Sequence, residues 1–174
     1  GTTVDCNTTF SIQNLAIVDA NSAAINLAGN WTVAAGGTFN GGTSTVTLDG
    51  TSGTQQVTSA GQSFHDLTLN NSGATTQLQD ALSVSNDLLL SAGALDLNGQ
   101  NITTTGNFTV NSGTSTTFVN LAGRTITVGG NASLNGQSGN LLNIATASEH
   151  YWAVTGTLDA DYSDIGWSNA TGST

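Results

Sequence analysis

The sequence predicts an all-β fold, a right-handed parallel β-helix of about six to eight coils with capped ends. Three observations support this prediction: a short motif recurs along the chain, apolar and polar residues alternate in short runs, and helical spacing is absent. The 174 residues also contain no proline. This absence suits a fold in which nearly every backbone N–H group enters a ladder between strands, because proline has no N–H to donate.

A motif of Gly or Ser, then Asn, then a short alternating run occurs four times in the chain. Its asparagines are Asn30, Asn86, Asn107 and Asn131. The last three are separated by 21 and 24 residues, and a repeat of about 20 to 27 residues is typical of a solenoid. We predict that the four asparagines occupy one structural corner, where the bend needs a positive φ and stacked amides form a ladder.

Apolar residues at alternate positions indicate the strands of each coil, because alternate side chains of a strand point to the same face. Such pairs are Val46 with Leu48, Leu67 with Leu69, Leu95 with Leu97, and Ile126 with Val128. The alternative fold is an antiparallel β-sandwich, whose hairpins would use Asn-Gly turns such as Asn98-Gly99. A sandwich does not need its sequence to repeat, so the repeat favours the β-helix.

The length and the repeat predict one domain that spans residues 1–174. Residues 24–148 would form the repeated coils. Residues 1–23 lack the Gly-Asn motif and are predicted to be an N-terminal cap or an assembly segment. Residues 149–174 are predicted to form an aromatic and acidic cap, because terminal repeats are atypical. Its aromatic residues are Tyr151, Trp152, Tyr162 and Trp167.

The charge composition excludes two classes of partner. Eleven acidic residues against the single Arg124, with no lysine, give a net charge of −10. A phosphate backbone and an anionic membrane surface would both be repelled, so we predict no nucleic-acid binding. No apolar run approaches the ~18 residues needed to span a bilayer, so we predict no membrane insertion.

Several stretches of the chain resemble a known family. The resemblance lies in residues 37–50 (GTFNGGTSTVTLDG), 55–57 (QQV) and 64–73 (FHDLTLNNSG). These are similar to repeat modules of large bacterial secreted and surface proteins of the adhesin-like parallel β-helix type. Residues 152–165 resemble the segments that close such arrays. The resemblance implies an extracellular or cell-surface β-helical stalk, and it supplies no catalytic motif.

We predict no enzymatic activity. A polysaccharide lyase needs cationic groups or a calcium ion to neutralise the substrate carboxylate, and the chain offers one arginine and no lysine. No serine lies in a Gly-x-Ser-x-Gly elbow. His65 and His150 have no second His or Cys at metal-ligand spacing, and we expect both at the surface.

Asp159, Asp161 and Asp164 form the only tight acidic cluster of the sequence. Asp159 and Asp161 are two residues apart and therefore share one strand face, with Asp164 just beyond. The cluster fits a calcium site, because Ca²⁺ prefers carboxylate and carbonyl oxygens. A solvated acidic edge and a pair of glycosidase carboxylates are the alternatives. No other cofactor is predicted.

The composition and the resemblance together predict a stiff rod that serves as an extracellular structural or adhesive module. Its partners would be other copies, neighbouring modules, or a weakly bound glycan or surface. Threonines at positions 43, 45 and 47, at 103–105, and at 125 and 127 could form hydroxyl ladders, so ice binding is an alternative. A calcium-stabilised polysaccharide-binding module is a further alternative.

Overall fold

The fold is built from β-strands alone. The computed structural model describes residues 1–111, 116–136, 138, 141–144, 148–161, 163–164 and 168–171. Within these ranges there is no helix, and so none that is long and apolar enough to cross a bilayer.

The strands are numbered in chain order. The first eleven are β1 (Thr3–Cys6), β2 (Phe10–Ile12), β3 (Ile17–Asp19), β4 (Ala24–Leu27), β5 (Trp31–Val33), β6 (Thr38–Asn40), β7 (Thr45–Leu48), β8 (Thr54–Thr58), β9 (Ser63–Phe64), β10 (Asp66–Leu78) and β11 (Leu82–Val84). The others are β12 (Leu88–Asp96), β13 (Ile102–Thr104), β14 (Phe108–Val110), β15 (Thr117–Val119), β16 (Thr125–Val128), β17 (Ala132–Leu134), β18 (Leu142–Asn143), β19 (His150–Val154), β20 (Leu158–Asp159), β21 (Ser163–Asp164) and β22 (Ser168–Thr171).

The chain visits three faces in turn, and each circuit adds a coil to the previous one. In the described ranges the first face stacks eight strands, in the order β1, β4, β7, β10, β12, β14, β17 and β20. The second face contains β2, β5, β8, the second halves of β10 and β12, and β15, with the β18 and β21 pair beside β15. The third face runs from the β3 and β6 pair to β9, β11, β13, β16, β19 and β22.

Every strand pair in the described part of the chain is parallel. Val46, for example, pairs with Leu67, which follows it by 21 residues. A sandwich would instead pair consecutive strands through hairpins. The chain is therefore a parallel β-solenoid, as the repeat predicts, and the antiparallel β-sandwich is excluded.

The inward side chains of all three faces form one continuous apolar core. Most of it is Leu, Ile and Val, and each such side chain contributes about 1.5–3 kcal/mol when it is fully buried. Two aromatic clusters lie within it. The first consists of Phe10, Trp31, Phe39 and Phe64, with ring centroids 4.8–6.0 Å apart. The second consists of Phe108, Phe118 and Trp152, with centroids 5.8–6.2 Å apart.

Both ends of the chain take part in the solenoid. Within residues 1–23, the strands β1, β2 and β3 pair with β4, β5 and β6 and so form the first coil. Near the other end, Trp152 lies in the core, whereas Tyr151 points outward and is exposed. Tyr162 and Trp167 lie outside the described residues. The capping role of either segment stays a prediction.

Candidate ligand groove on the first face

A column of residues joined by hydrogen bonds from backbone N–H groups to side chains, the corner ladder, runs along one edge of the first face. It consists of five stacked residues that each precede or begin a strand of this face: Asp66, Asp87, Asn107, Asn131 and Thr157. Each of the four Asp and Asn side chains accepts the backbone N–H of the next residue in the column. The four N–O distances are 3.1, 2.7, 3.0 and 2.9 Å. The corner ladder therefore joins five successive coils along the solenoid axis.

Asn107 and Asn131, two of the predicted corner residues, lie in the corner ladder, but Asn86 does not. Asn86 occupies the position before it, where its backbone oxygen accepts the N–H of Gly106 at 2.8 Å. When the four copies of the motif are aligned with one another on their asparagines, the copy at Asn86 is therefore shifted by one residue. Asp87 takes the place that the alignment gave to Asn86, because a carboxylate oxygen accepts the same hydrogen bond as an amide oxygen.

Asn30, the fourth predicted corner residue, lies at a different corner. It directly precedes β5 on the second face, and its side-chain oxygen accepts the backbone N–H of Gln56 at 2.8 Å. It links two coils as the corner ladder does. The predicted single column of four asparagines is thus divided between two corners of the coil.

The glycines beside the corner ladder are required by close approach between coils. Gly106, Gly130 and Gly156 stack in one column, and an added Cβ would lie 2.6, 2.8 and 2.7 Å from the backbone oxygen of the preceding coil. None of the three has a positive φ. The prediction that this corner needs a positive φ is therefore wrong. Positive φ is found at other turns, such as those at Asn98 and Asn120.

A shallow groove of about 660 Å³ runs beside the corner ladder. The corner ladder forms its wall, and its floor is a column of outward side chains: Thr68, Leu89, Thr109 and Ser133. The groove begins at Thr45 and crosses five coils, which at about 4.8 Å per coil gives a length of roughly 19 Å. Its size and linear form suit an extended ligand better than a compact one.

Leu89 is the unusual residue of this floor. It points outward and is half-buried between Thr68 and Thr109, which occupy the same column in the neighbouring coils. The outward positions beside the corner ladder are otherwise polar along the groove. The sequence contains a signal for this feature, because the run from Leu88 to Leu90 breaks the alternation of apolar and polar residues.

The groove carries negative charge. Asp87 is exposed within it, and Asp66 is half-buried beside His65, whose Nδ1 lies 3.1 Å from the Asp66 carboxylate. Burial raises the pKa of Asp66. Four interactions act in the opposite direction: hydrogen bonds from the Asp87 N–H, the Asn86 amide and His65, and the charge on His65. Together they outweigh burial, so the pKa of Asp66 lies below its usual value. Asp66 is therefore ionised at neutral pH.

Of the three acids of the predicted calcium site, Asp159 and Asp164 belong to two different strands, and Asp161 lies in a turn after the first of them. The prediction that Asp159 and Asp161 share one strand face is therefore wrong. Asp159 ends β20 on the first face, where its carboxylate accepts a hydrogen bond from Asn135 at 2.8 Å. Asp161 donates its backbone N–H to the side-chain oxygen of Asn135 at 2.7 Å. The backbone of Asp164 belongs to β21 on the second face. Among the described residues no group of three metal-ligating side chains forms, and calcium binding stays a prediction.

The threonine clusters of the sequence form short columns. Thr103 stacks on Thr127 on the third face, with Ser83 before them and Ala153 after them. On the first face Thr47 stacks on Thr68, and the next residue in the column is Leu89. Each of these two columns holds two adjacent threonines. Two stacked hydroxyl groups form a short array for ordering water, so these columns give the ice-binding alternative little support.

The histidines differ from the surface positions that the sequence led us to expect. His65 is half-buried at the edge of the groove, and His150 is fully buried at the start of β19. Burial lowers the pKa of His150, and a hydrogen bond with the Ser148 backbone opposes this only in part. His150 and Trp152 are two residues apart on β19 and both point inward. The alternation of side chains along this strand therefore contains the signal that His150 is buried.

The comparisons with known proteins add no family or function. A scan against protein-family models and searches of curated proteins and of solved structures find no match to this chain.

Proposed function

We propose that this chain is a structural and adhesive module of an extracellular or cell-surface protein, a stiff rod that holds a neutral polysaccharide along its first face. The observation that carries the proposal is the groove walled by the corner ladder. It runs parallel to the axis of the rod and presents carboxylate, amide and hydroxyl groups around one aliphatic side chain, that of Leu89.

The chemistry of the groove favours an uncharged glycan. Carboxylate and amide oxygens accept hydrogen bonds from sugar hydroxyls, and threonine hydroxyls both donate and accept them. Leu89 offers a small apolar contact to the C–H face of a sugar ring. Acidic glycans would meet Asp66, Asp87 and a net charge of −10, so their binding is opposed.

The rod-like role is supported by the bonds between coils. The corner ladder adds hydrogen bonds between side chain and backbone to those of the β-ladders, and its bonds lie along the direction in which an adhesive stalk is pulled. The extracellular location is supported by the hydroxyl-rich composition, in which only 7% of residues are charged, and by the resemblance to adhesin-like modules.

The test is binding to a panel of neutral and acidic oligosaccharides, measured by calorimetry. We expect binding to neutral oligosaccharides of several units. Asp87→Asn keeps the acceptor of the corner ladder but removes the charge, and we expect affinity to fall about tenfold because a hydrogen bond to a charged acceptor is roughly twice as strong. Leu89→Thr, which copies the neighbouring coils, should weaken binding by about three- to tenfold.

The matched control is Asp19→Asn. Asp19 also accepts an inter-coil hydrogen bond from an asparagine amide, that of Asn40, at 2.6 Å, but it lies on the third face. We expect Asp19→Asn to bind neutral oligosaccharides with the same affinity as the unaltered protein. Equal losses in Asp19→Asn and Asp87→Asn, or tighter binding of a basic peptide than of any glycan, would contradict the proposal.

A further inference from the structure

Polar groups that are free to bind a ligand recur along the groove. Four such groups have no hydrogen-bond partner in the described part of the chain: the hydroxyls of Thr68 and Thr109, Oδ2 of Asp87 and Nδ2 of Asn131. The four residues line the groove and belong to four consecutive coils. In these coils the groove therefore offers a ligand at least one hydrogen-bonding group per coil.

The interval between these groups is constant although the coils differ in length. Successive residues of the groove floor are 21, 20 and 24 positions apart in the chain, yet each pairs directly with the next: Thr68, Leu89, Thr109 and Ser133. Neighbouring strands lie about 4.8 Å apart, so the groove repeats at that interval along the solenoid axis. The added residues of the longer coil therefore lie off the first face and leave the groove regular.

A ligand that uses every coil must repeat at the same interval and must be straight. A chain of β-1,4-linked pyranose sugars in its extended form meets both conditions, because it advances by close to one strand spacing per sugar and does not coil. An α-1,4-linked chain of the same sugar curves and turns away from a linear groove. We propose, building on the glycan-binding function proposed above, that the groove binds an extended β-1,4-linked glycan with one sugar per coil.

The wall and the floor of the groove suit the two kinds of surface on such a chain. In a β-1,4-linked glucan the ring substituents are equatorial, so both faces of each ring present C–H groups and the hydroxyls lie at the edges. A ring that lies flat on Leu89 contacts it through C–H groups and directs one edge at the wall, where Asp87 accepts a hydrogen bond from a hydroxyl. Successive rings are turned over, and each still directs hydroxyls at the wall because both edges carry them.

The length of the groove sets the number of sugars that it binds. The groove crosses five coils, from that of Thr45 to that of Ser133, and Leu89 lies in the third. A chain of three sugars centred on Leu89 therefore covers the coils of Thr68 and Thr109 but does not reach the first or the fifth coil. Affinity should rise with each added sugar up to about five and should then stay constant.

The test compares two series of glucose oligosaccharides, of two to six units, that differ only in linkage. One series is β-1,4-linked and the other is α-1,4-linked. Calorimetry measures the binding of the longer members, and titrations followed by NMR measure that of the short ones. We expect affinity in the β-1,4 series to rise up to about five units. The α-1,4 pentamer should bind at least about tenfold more weakly than the β-1,4 pentamer, because it loses hydrogen bonds in the outer coils.

Two threonine variants test the register of one sugar per coil. Thr109→Val and Thr45→Val each remove one groove hydroxyl and keep a branched side chain of similar shape. Thr109 lies one coil from Leu89, whereas Thr45 lies two coils away. We expect Thr109→Val to weaken the binding of the β-1,4 trimer and pentamer about three- to tenfold, the effect of one lost hydrogen bond. Thr45→Val should weaken the binding of the pentamer by a similar factor and should leave that of the trimer unchanged.

The control is Thr103→Val, because Thr103 is an exposed, outward threonine on the third face, and we expect this variant to bind like the unaltered protein. Equal affinities for the two pentamers, affinity that stops rising at two units, or equal losses for trimer and pentamer in Thr45→Val would overturn this inference. Binding of other neutral oligosaccharides without binding of the β-1,4 series would do the same, and each of these results would leave the proposed function standing. Absence of binding by every neutral oligosaccharide would overturn both.

Discussion

Glycine at the corner is the residue on which the close stacking of coils depends. The backbone N–H of Gly130 donates to the oxygen of Gly106 at 2.8 Å, and the N–H of Gly156 donates to Gly130 at 3.0 Å. Backbone approach of this kind leaves no room for a side chain, which is a steric requirement and not a conformational one.

Gly130→Ala should therefore destabilise the fold. Its Cβ would lie 2.8 Å from the Gly106 oxygen and would force the coils apart. We expect the free energy of unfolding to fall by about 1–3 kcal/mol, the usual effect of overpacking, measured by urea denaturation. Gly99→Asn is the control, because Gly99 has a φ of +81° and nothing within 4 Å of an added Cβ, and Asn tolerates positive φ. Equal losses in the two variants would contradict this explanation.

His150 should make the fold sensitive to mild acid. Burial lowers its pKa below 6.5 in the folded state, so the unfolded state takes up the proton first. The free energy of unfolding should therefore be unaffected by this group above pH 6.5 and should fall as the pH drops below that value. We expect thermal melts between pH 7 and 5 to show a smaller decline for His150→Leu than for the unaltered protein. Parallel declines would show that His150 does not cause the effect.

Two residues of the groove show the limit of sequence reasoning at this scale. Asp87 was missed because the alignment matched asparagines to each other, whereas the fold selects any short side chain with an acceptor oxygen at this position. Leu89 was missed because a run of three leucines suggests a buried strand. The broken alternation marks the run in the sequence, and the register between coils shows which of the three leucines points outward.

At the scale of the element, the corner ladder should contribute measurably to the strand stack of the first face. The Asn107 side chain accepts the N–H of Asn131 at 3.0 Å and donates to Asp87 at 3.1 Å. Asn107→Ala removes both bonds at an exposed site, and we expect a loss of about 0.5–1.5 kcal/mol in the free energy of unfolding.

Two further variants separate the corner ladder from simple loss of an amide. Asn107→Asp restores the acceptor, as Asp66 and Asp87 do in earlier coils, and should recover part of the loss. Asn111→Ala removes an exposed amide whose bond to Ser91 is long, at 3.4 Å, and should have little effect. A loss in Asn111→Ala as large as that in Asn107→Ala would argue against a special role for the corner ladder.

The strands follow the predicted alternation of apolar and polar residues closely, but not all of them are short as predicted. β10 runs for 13 residues across two faces, with register shifts between Leu69 and Thr75 relative to β12. Its bend contains the buried Asn71, whose amide donates to the Thr76 hydroxyl at 2.7 Å, and Gly73 with a φ of +83°. The sequence marks this bend with the turn-forming residues 70–73 (NNSG), but it does not show that strand pairing continues across the bend.

At the scale of the whole molecule, the period of the motif was enough to predict a parallel solenoid. It was not enough to predict which residues share a column. Gly106 stacks on Asn86, 20 residues earlier, and Gly130 on Gly106, 24 residues earlier. A change in coil length is absorbed at a turn, which local sequence does not locate. Trp152, one of the aromatic residues of the predicted cap, is buried in the core beside Phe108, and the capping role of its segment stays a prediction.

The net charge of −10 should also limit the stability of the whole rod. Eleven acids and one arginine lie on one small solenoid, so folding brings like charges closer than they are in the unfolded chain. We expect the melting temperature at pH 7 to rise as NaCl is increased from about 10 mM to about 0.5 M, because the Debye length falls from about 30 Å to under 10 Å. Near the isoelectric point, at about pH 4.1, the same salt series should leave the melting temperature almost unchanged. A rise of equal size at both pH values would indicate a general salt effect on apolar burial, and charge repulsion would then not be the limiting factor.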